Sequence, residues 1–276
     1  MNYESILDTP ALRAFIHCAD NGWQQGWHER NGGNLSYRLT AQEAADCAPF
    51  LGEGGPWVPL GIAAPNMGGE RFIVTGAGRY FQNVLLLPEE NIGVVELNEA
   101  GDAYRLLWGL SVAGKPTSEF PTHIMNHSVR AKVTGGTSRV IYHAHPADLV
   151  ALTFILPISA REFSRSLWQA MSECVVFFPE GVGVLPWMLC GGADIAYATA
   201  KEMERFAAVI WAHHGIFCAG DDFDVTFGTL HAIDKAARIV LQVMASGRPM
   251  LQWITDDNLR LVGKAFGIEI NEEFLD

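Results

Sequence analysis

The chain has 276 residues, 49% of them hydrophobic and 18% charged, which excludes a disordered composition and provides ample material for a buried core. The formal net charge of −12 argues against a nucleic-acid-binding surface, although a few local donors can hold one phosphate group on an acidic protein. No run of about 18 uncharged apolar residues occurs, which argues against a membrane-spanning segment.

The first half of the chain begins with a helix predicted over TPALRAFIHCADNGWQQGWHE, with Pro10 in its first turn. A glycine turn then leads into an alternating strand, RNGGNLSYRL. The segment 51–70 is rich in glycine and proline and predicts a long loop. Strands resume at RFIVTGAGRYF, and NIGVVELN followed by AYRLLWGL predicts a hairpin around Ala100 and Gly101.

The second half alternates between helices and strands. Helices are predicted over PTHIMNHSVRAKV, SRSLWQAMS, ADIAYATAKEMERFAA and DFDVTFGTLHAIDKAARIVLQVMAS. Strands are predicted over SRVIYHAH, over CVVFFPEGVGVLP as two short strands around a turn, and over VIWAHHGIFCAG as a pair broken at Gly215. This alternation, with hairpins among the strands, predicts an α/β protein whose mixed sheet is covered by helices on both faces.

The sequence also gives expectations about compartment and domain organisation. Five cysteines without a CxxC pair indicate free, buried thiols in a reducing compartment. The opening MNYESILDTPALRAF lacks the basic-then-apolar pattern of a signal peptide, so we expect a soluble cytoplasmic protein. Neither a repeat nor a linker is visible, which favours one domain over residues 1–276. The phosphate-binding patterns GxGxxG and GxxxxGK[ST] do not occur, so dinucleotide and nucleoside-triphosphate sites are not expected.

Two histidines stand one residue apart at the end of a predicted strand. His143 and His145 would project from the same face of the strand, close enough to bind one ion. A third ligand could come from His213 or His214, which point to opposite faces, so at most one of them can join the pair. Three histidines with an open fourth position are typical of a catalytic metal site. The alternative is an ordinary half-buried strand face.

A carboxylate and two further histidines lie four residues apart at the start of a predicted helix. Glu119, His123 and His127 would share one face of that helix. Thr117 or Ser118 is the expected N-cap, with Glu119 in the first turn, which is also a routine helix start. Beside a Lewis-acidic metal, however, such a carboxylate serves as a general base next to a carbonyl. His123 is a candidate partner behind the site, and His127 is expected to face solvent or pack.

Glycine-rich turns adjoin two of the predicted strands. ERNGGNLS and VTGAGR permit close backbone approach and can form a concave nest for an anion. Their neighbours supply side-chain donors, namely Asn31, Asn34, Thr75, Thr117 and Ser118. Either turn alone is most simply a tight turn, but together with the PTS segment they favour a phosphate pocket.

Six segments, taken in order, resemble the class II aldolase family. They are WHERNGGNLSYRL, RFIVTGAGRYF, PTSEFPTHI, VIYHAHPADLVALT, SECVVFFPEGVGVLPW and WAHHGIFCAG, and the match covers nearly the whole chain. That family includes sugar-phosphate aldolases, an epimerase and the adducin head domain. The Gly/Pro-rich loop and FFPEGVGVLPW look most like the member that cleaves L-rhamnulose 1-phosphate to dihydroxyacetone phosphate and L-lactaldehyde.

The resemblance implies a three-layer α/β/α domain with a mixed, largely antiparallel central sheet, a homotetramer and one catalytic Zn²⁺ per subunit. It implies a zinc-dependent lyase acting on a sugar phosphate in L-rhamnose degradation. By motif position, the implied zinc ligands are His143, His145 and His214, the implied acid/base is Glu119, and Glu173 matches a second carboxylate used in proton transfer. The implied phosphate ligands are Asn31, Asn34, Gly76, Ala77, Thr117 and Ser118.

One turn departs from the family pattern. The family usually carries TGSGK where this chain has TGAGR, so Ala77 removes a hydroxyl donor while its backbone N–H remains. This raises the alternative of another family aldolase, an epimerase or a dehydratase with a different sugar phosphate. A non-catalytic binding module, as in the adducin head, is a further alternative. It is disfavoured because the positions of the three histidines and Glu119 are all filled.

Overall fold

The computed structural model describes residues 3–112 and 114–276 and contains one sheet packed between helices. The strands are β1 (Asn34–Arg38), β2 (Val58–Pro59), β3 (Arg71–Thr75), β4 (Ile92–Leu97), β5 (Ala103–Gly109), β6 (Val140–Ala144), β7 (Gly183–Leu185), β8 (Ala208–Trp211) and β9 (Gly215–Gly220). The helices are α1 (Pro10–Gln24), α2 (Ala41–Cys47), α3 (Pro88–Asn91), α4 (Phe120–Val133), α5 (Ala147–Leu152), α6 (Ala160–Ala170), α7 (Cys174–Phe177), α8 (Ala193–Glu202), α9 (Phe223–Ala245) and α10 (Asp256–Phe266).

The nine strands form one sheet in the order β2-β5-β4-β3-β1-β6-β9-β8-β7. Seven neighbouring pairs are antiparallel and only β7 with β8 is parallel. The predicted mixed, largely antiparallel sheet is therefore confirmed. The two central strands, β1 and β6, pair with each other, and their register places Asn34 opposite His143.

Each face of the sheet is covered by its own helices. Because successive side chains of a strand point to opposite faces, Tyr142 of β6 enters a core that also contains Phe15 of α1 and Ile233 of α9. Its neighbour Ile141 enters a second core with Ile195 of α8. A third cluster joins β3 and β4 to α4. The predicted helices on both faces are confirmed.

The prediction for CVVFFPEGVGVLP is wrong in its first half. Residues Cys174–Phe177 form α7, and only Gly183–Leu185 forms a strand. A short apolar run cannot be assigned to strand or helix by periodicity alone, and here burial of Cys174 and Val175 in the core favours one helical turn. The predicted α1 is also too long, since the helix ends at Gln24. The helices α2, α3, α5 and α10 were not predicted.

The cysteines are free, as expected, and four of them are buried while Cys190 is exposed. Across the part of the chain that the structure describes, no helix is both long and apolar enough to cross a membrane.

Glu96 of β4 provides a pH-dependent contribution to stability. Its carboxylate accepts hydrogen bonds from Arg105 at 2.6 and 2.8 Å and from Arg71 at 3.0 Å. Burial alone would raise the pKa of Glu96, but the hydrogen bonds and charges of Arg105 and Arg71 outweigh burial and lower the pKa below its ordinary 4.5. The ionised carboxylate is thus stabilised more in the folded than in the unfolded chain.

We expect Glu96→Gln to lower the free energy of unfolding by about 1–2 kcal/mol at neutral pH. A depressed folded-state pKa stabilises the protein above the unfolded-state pKa, and this stabilisation is lost as the pH falls below about 4.5. Chemical unfolding at pH 7 and between pH 3 and 5 measures both effects. Glu99→Gln, which alters an exposed carboxylate of the same hairpin, should change neither; a Glu96 difference that persisted at low pH would contradict the assignment.

Candidate active site

Three histidines meet at one end of the sheet. His143 belongs to β6, His145 lies one residue beyond it, and His214 lies in the tight turn between β8 and β9. β9 pairs with β6, and Gly215 is needed there because a Cβ at this position would lie 2.3 Å from the carbonyl oxygen of Ala144. The sheet therefore brings together two histidine segments about 70 residues apart in the chain.

The turn also separates His213 from His214. His213 takes a left-handed conformation with φ 62°, and its ring lies 3.2 Å from the hydroxyl of Thr153. Only His214 joins His143 and His145, each offering one ligand atom within 4.8 Å of the others. The spacing argument, which allowed at most one of the two, agrees with this arrangement.

The hydrogen bonds of two rings fix which nitrogen faces the centre. His143 donates from Nδ1 to the carbonyl of Ile216 at 3.0 Å, because a carbonyl can only accept. His145 donates from Nδ1 to the carboxylate of Glu29 at 2.7 Å. The two Nε2 atoms then face each other 3.1 Å apart. Two imidazole nitrogens in this arrangement can ligate one cation.

The surroundings of His143 and His214 keep their imidazoles neutral. Burial lowers the pKa of His143 well below its ordinary value, and His145 and His214 add to the effect. Burial, followed by the neighbouring His145, lowers the pKa of His214 to about 4. Neutral imidazole is the form that binds divalent transition metals, and three such ligands leave a position open for substrate. The donor set therefore fits a catalytic metal ion.

Glu119 borders this centre. Its Oε2 lies 3.6 Å from Nε2 of His143 and accepts a hydrogen bond from Nδ2 of Asn34 at 2.6 Å. Burial raises the pKa of Glu119 and outweighs the opposing effects of Asn34 and His145. The expected N-cap was wrong: Glu119 itself is the N-cap of α4, and its backbone N–H donates to Oγ1 of Thr117. This end position directs a buried carboxyl to the sheet edge.

The segments proposed for phosphate also converge here. Gly76 forms a β-bridge with Pro116, and Thr117 donates its N–H to the carbonyl of Thr75 at 2.9 Å. The backbone N–H of Ala77, expected to be free for phosphate, instead donates to the carbonyl of Lys115 at 3.1 Å. That of Gly76 donates to Asn91. The N–H groups of Gly76 and Ala77 are thus used in hydrogen bonds that hold the turn in shape.

The remaining candidates are in different places. Asn31 is exposed in the glycine turn, and Ser118 is exposed beside Glu119. Glu173 does not lie with the histidines. It opens onto a separate cavity of about 340 Å³ shared with His231 and Lys235. The cavity beside the histidines, about 500 Å³, is lined by Glu29, His145, Ala147, Val150, Ala151, Phe154 and His214.

Sequence reasoning missed Glu29 as part of the site. It precedes the turn RNGG, and nothing in its spacing shows that it reaches His145, 116 residues away. Glycine at position 32 makes room for it, because a Cβ there would lie 2.4 Å from Oε1 of Glu29. The glycine turn, which the sequence predicts as an anion nest, also leaves room for the carboxylate of Glu29.

A model of the class II aldolase and adducin N-terminal domain matches residues 13–241. The chain belongs to this family. A rhamnulose-1-phosphate aldolase of Klebsiella pneumoniae is 41% identical over 276 residues, covering 99% of both chains. One of Shigella sonnei is 41% identical over 96% of both chains.

Solved structures agree with the family assignment. A sugar-phosphate aldolase of Thermotoga maritima superposes with a TM-score of 0.72 and 27% identity, covering 86% of this chain and 96% of that one. An L-fuculose-1-phosphate aldolase of Thermus thermophilus, 19% identical, superposes with a TM-score of 0.56 over 87% of this chain and 97% of that one. The second likeness concerns the fold alone. The resemblance read from the sequence motifs is confirmed.

Glu29 gives this class II aldolase a testable feature. A carboxylate that holds the far nitrogen of a ligating histidine fixes its tautomer and increases its basicity. We therefore expect Glu29→Ala to weaken divalent-cation affinity by about 10–100-fold. Competition with a chromophoric chelator measures it. Glu53→Ala, in the exposed loop, is the matched control, and unchanged affinity in the Glu29 variant would rule out this role.

Proposed function

We propose that this protein cleaves L-rhamnulose 1-phosphate reversibly into dihydroxyacetone phosphate and L-lactaldehyde, as a metal-dependent carbon–carbon lyase of L-rhamnose degradation. The observation that carries the proposal is the histidine cluster with a buried carboxyl 3.6 Å away. It occurs in a chain 41% identical over its length to proteins named rhamnulose-1-phosphate aldolase. The aldolases of this family are metal-dependent, and they act on sugar phosphates.

We propose Zn²⁺, one per subunit, as the ion, held by His143, His145 and His214. Three imidazole ligands and an open position support this choice, because they are the ligand set of many catalytic zinc sites. The bound ion would act as a Lewis acid that polarises the substrate carbonyl and offsets negative charge as the C3–C4 bond breaks. This chemistry makes a lysine Schiff base unnecessary.

Glu119 is the proposed acid/base. In cleavage the C4 hydroxyl gives its proton to a base, for which Glu173 is the proposed group, as the C3–C4 bond breaks. The carboxyl of Glu119 protonates C3 of the fragment that becomes dihydroxyacetone phosphate, and synthesis reverses both transfers. A raised pKa suits this reversible role, because the group must give up and regain a proton near neutral pH. Asn34 holds one carboxylate oxygen in place, which leaves the other oxygen for the substrate carbon.

We propose that the phosphate is bound by Asn31, Asn34, Gly76, Ala77, Thr117 and Ser118. The joining of the turn and the PTS segment at Gly76 and Pro116 supports this position. Since the N–H groups of Gly76 and Ala77 are paired, they shape the pocket, and the side chains of Asn31 and Ser118 supply donors. The second N–H of Asn34 remains available as well.

The wall of the cleft supports the choice of aldehyde. α5 and the following turn place the apolar side chains of Val150, Ala151 and Phe154 in the cavity that contains His145. An apolar wall at this position suits a methyl group such as that of L-lactaldehyde, and it would not pair the hydroxyl of a more polar aldehyde.

Glu173 lies in another cavity, so a role in the reaction requires that it reach the site of a second copy. We propose a homotetramer, in the cytoplasm and formed from single domains spanning residues 1–276, in which this occurs. Large exposed apolar side chains support association, among them Trp187, Leu189, Leu251 and Trp253.

The deciding experiment follows formation of dihydroxyacetone phosphate from a panel of ketose 1-phosphates, using protein of measured metal content. We expect L-rhamnulose 1-phosphate to have the highest kcat/KM, with L-lactaldehyde as the second product. A higher kcat/KM for another ketose phosphate would contradict the proposed substrate. Epimerised or dehydrated products would contradict the proposed carbon–carbon cleavage.

A further inference from the structure

Behind Glu119, four polar side chains are enclosed between β1 and α4. Asn34 and Ser36 lie two residues apart on β1 and therefore point to the same face. His123 and His127 lie four residues apart on α4 and share one side of the helix. All four are buried, and the two histidines have no exposed surface. Such groups must satisfy one another, because water does not reach them.

They form a continuous chain of hydrogen bonds ending on Glu119. Asn34 contacts Glu119 through Nδ2 at 2.6 Å and His123 through Oδ1. The hydroxyl of Ser36 lies 2.7 Å from Nδ1 of His123 and 2.8 Å from Nε2 of His127. Thus Asn34 and His123 each use one atom toward Glu119 and one away from it, and the single hydroxyl oxygen of Ser36 joins the two histidines.

With the Asn34 oxygen facing His123, one set of donors and acceptors satisfies this chain. An amide oxygen accepts, so His123 must donate from Nε2 to Asn34. Neutral His123 then carries a lone pair on Nδ1 and accepts from the hydroxyl of Ser36. That hydroxyl oxygen accepts in turn from Nε2 of His127. Every proton is therefore donated toward Glu119.

The environments of the two histidines agree with this direction of hydrogen bonding. Nδ1 of His127 has no partner within residues 3–112 and 114–276, and in this assignment it carries a lone pair instead of a buried N–H. Burial lowers the pKa of His123 to about 3 and that of His127 well below its ordinary value. Both rings are thus neutral at neutral pH, as the chain requires.

The direction of the chain determines which way the amide of Asn34 is oriented. If that amide were reversed, its oxygen would face the carboxylate of Glu119 and its NH₂ would face the N–H of His123. Both contacts would be repulsive, and two buried donors would lose their acceptors. A lone pair on the unpartnered Nδ1 of His127 sets the direction of the chain, and that direction places the Asn34 nitrogen toward Glu119.

We propose that His127, Ser36 and His123 are positioning residues, whose one-way hydrogen-bond chain fixes the Asn34 amide with its nitrogen toward Glu119 and so holds the carboxyl in its reactive orientation. This inference rests on the proposed function of Glu119 as acid/base. It assigns a task to three buried residues that contact neither the proposed substrate nor the metal.

Variants at His123 separate positioning from packing. His123→Gln keeps one donor and one acceptor about as far apart as the two ring nitrogens, whereas His123→Phe keeps the ring volume and removes both. Because a small misplacement of a catalytic group can cost about 100-fold, we expect His123→Phe to lower kcat by about that factor with little change in KM. His123→Gln should recover most of the loss. Ser36→Ala should resemble His123→Phe, and His127→Phe, further from Glu119, should lose less.

The kinetic test uses Zn²⁺-loaded protein and two rates. Besides sugar-phosphate cleavage, exchange of the C3 proton of dihydroxyacetone phosphate with deuterated water is followed by NMR, because exchange requires Glu119 but no aldehyde. Both rates should fall together in His123→Phe, while zinc content stays near wild type. Equal impairment of His123→Gln and His123→Phe, or cleavage falling with exchange unchanged, would overturn the proposal.

The chain itself is tested without turnover. In protein labelled with ¹⁵N-histidine, the ring nitrogen shifts should show His123 and His127 as neutral tautomers protonated at Nε2. A tautomer protonated at Nδ1 on either ring would refute the chain. If wild-type protein supports neither cleavage nor exchange while both tautomers are as expected, the proposed function fails and the hydrogen-bond chain stands.

Discussion

Replacing Glu119 with glutamine is expected to lower kcat for sugar-phosphate cleavage by about 10²–10⁴-fold, the usual contribution of a general acid–base group. Glutamine keeps the size and an oxygen that accepts from Asn34, but it cannot carry the proton to and from C3. Since Glu119 lies 3.6 Å from His143 and is not one of the three imidazole ligands, the metal content should stay close to wild type.

Steady-state cleavage kinetics and metal analysis of the same preparation measure both parts of this prediction. Proton exchange into dihydroxyacetone phosphate should fall by a similar factor, because it depends on the same transfer at C3. Glu89→Gln, at an exposed carboxylate in the first turn of α3, is the matched control and should retain wild-type rates. Near-normal exchange in the Glu119 variant would assign the proton transfer to another group.

The sequence predicted the parts of this protein that depend on local patterns. Alternation at His143 and His145 gave the shared strand face, and Gly215 marked the break between β8 and β9. The long helix α9 was correctly predicted from its apolar period. Local patterns failed at Cys174–Phe177, where packing into the core decided between strand and helix for a short apolar run.

The contacts within the site could not be predicted from local patterns, because they join residues far apart in the sequence. The relation of His123 to Asn34 joins residues 89 apart, and that of His145 to Glu29 joins residues 116 apart. Such contacts depend on the sheet order, which sequence patterns alone did not specify. The family resemblance implied the candidate ligands. It did not reveal that the backbone N–H of Ala77 donates to the carbonyl of Lys115, because that contact depends on the fold.

The fold places a proposed metal ligand, His143, beside the proposed proton-transfer group, Glu119. His143 and Asn34 are partners across β1 and β6, so the histidine cluster and the hydrogen-bond chain leave the sheet at neighbouring positions. Asn34 is the member of the chain that donates to one oxygen of Glu119. A neutral amide in that place stabilises the carboxylate without adding a competing ligand.

Replacing His145 with alanine is expected to remove bound zinc and cleavage together. His145 supplies one of only three imidazole nitrogens in the cluster, and two remaining ligands hold a catalytic ion poorly. Wild-type protein treated with a chelator should lose activity in the same way, and added Zn²⁺ should restore the wild type but not the variant. This total loss contrasts with the graded loss of affinity expected for Glu29→Ala.

His213→Asn is the matched control for that experiment. It removes a neighbouring imidazole whose ring faces Thr153, and asparagine tolerates the left-handed backbone found there. Zinc bound per subunit, measured by atomic emission, should be near one in this control and near zero in His145→Ala. Stoichiometric zinc in His145→Ala would show that the ligand set is wrong. Full cleavage by verified metal-free wild type would instead exclude metal from the reaction, because the polarising charge at the carbonyl would then have to come from protein groups alone.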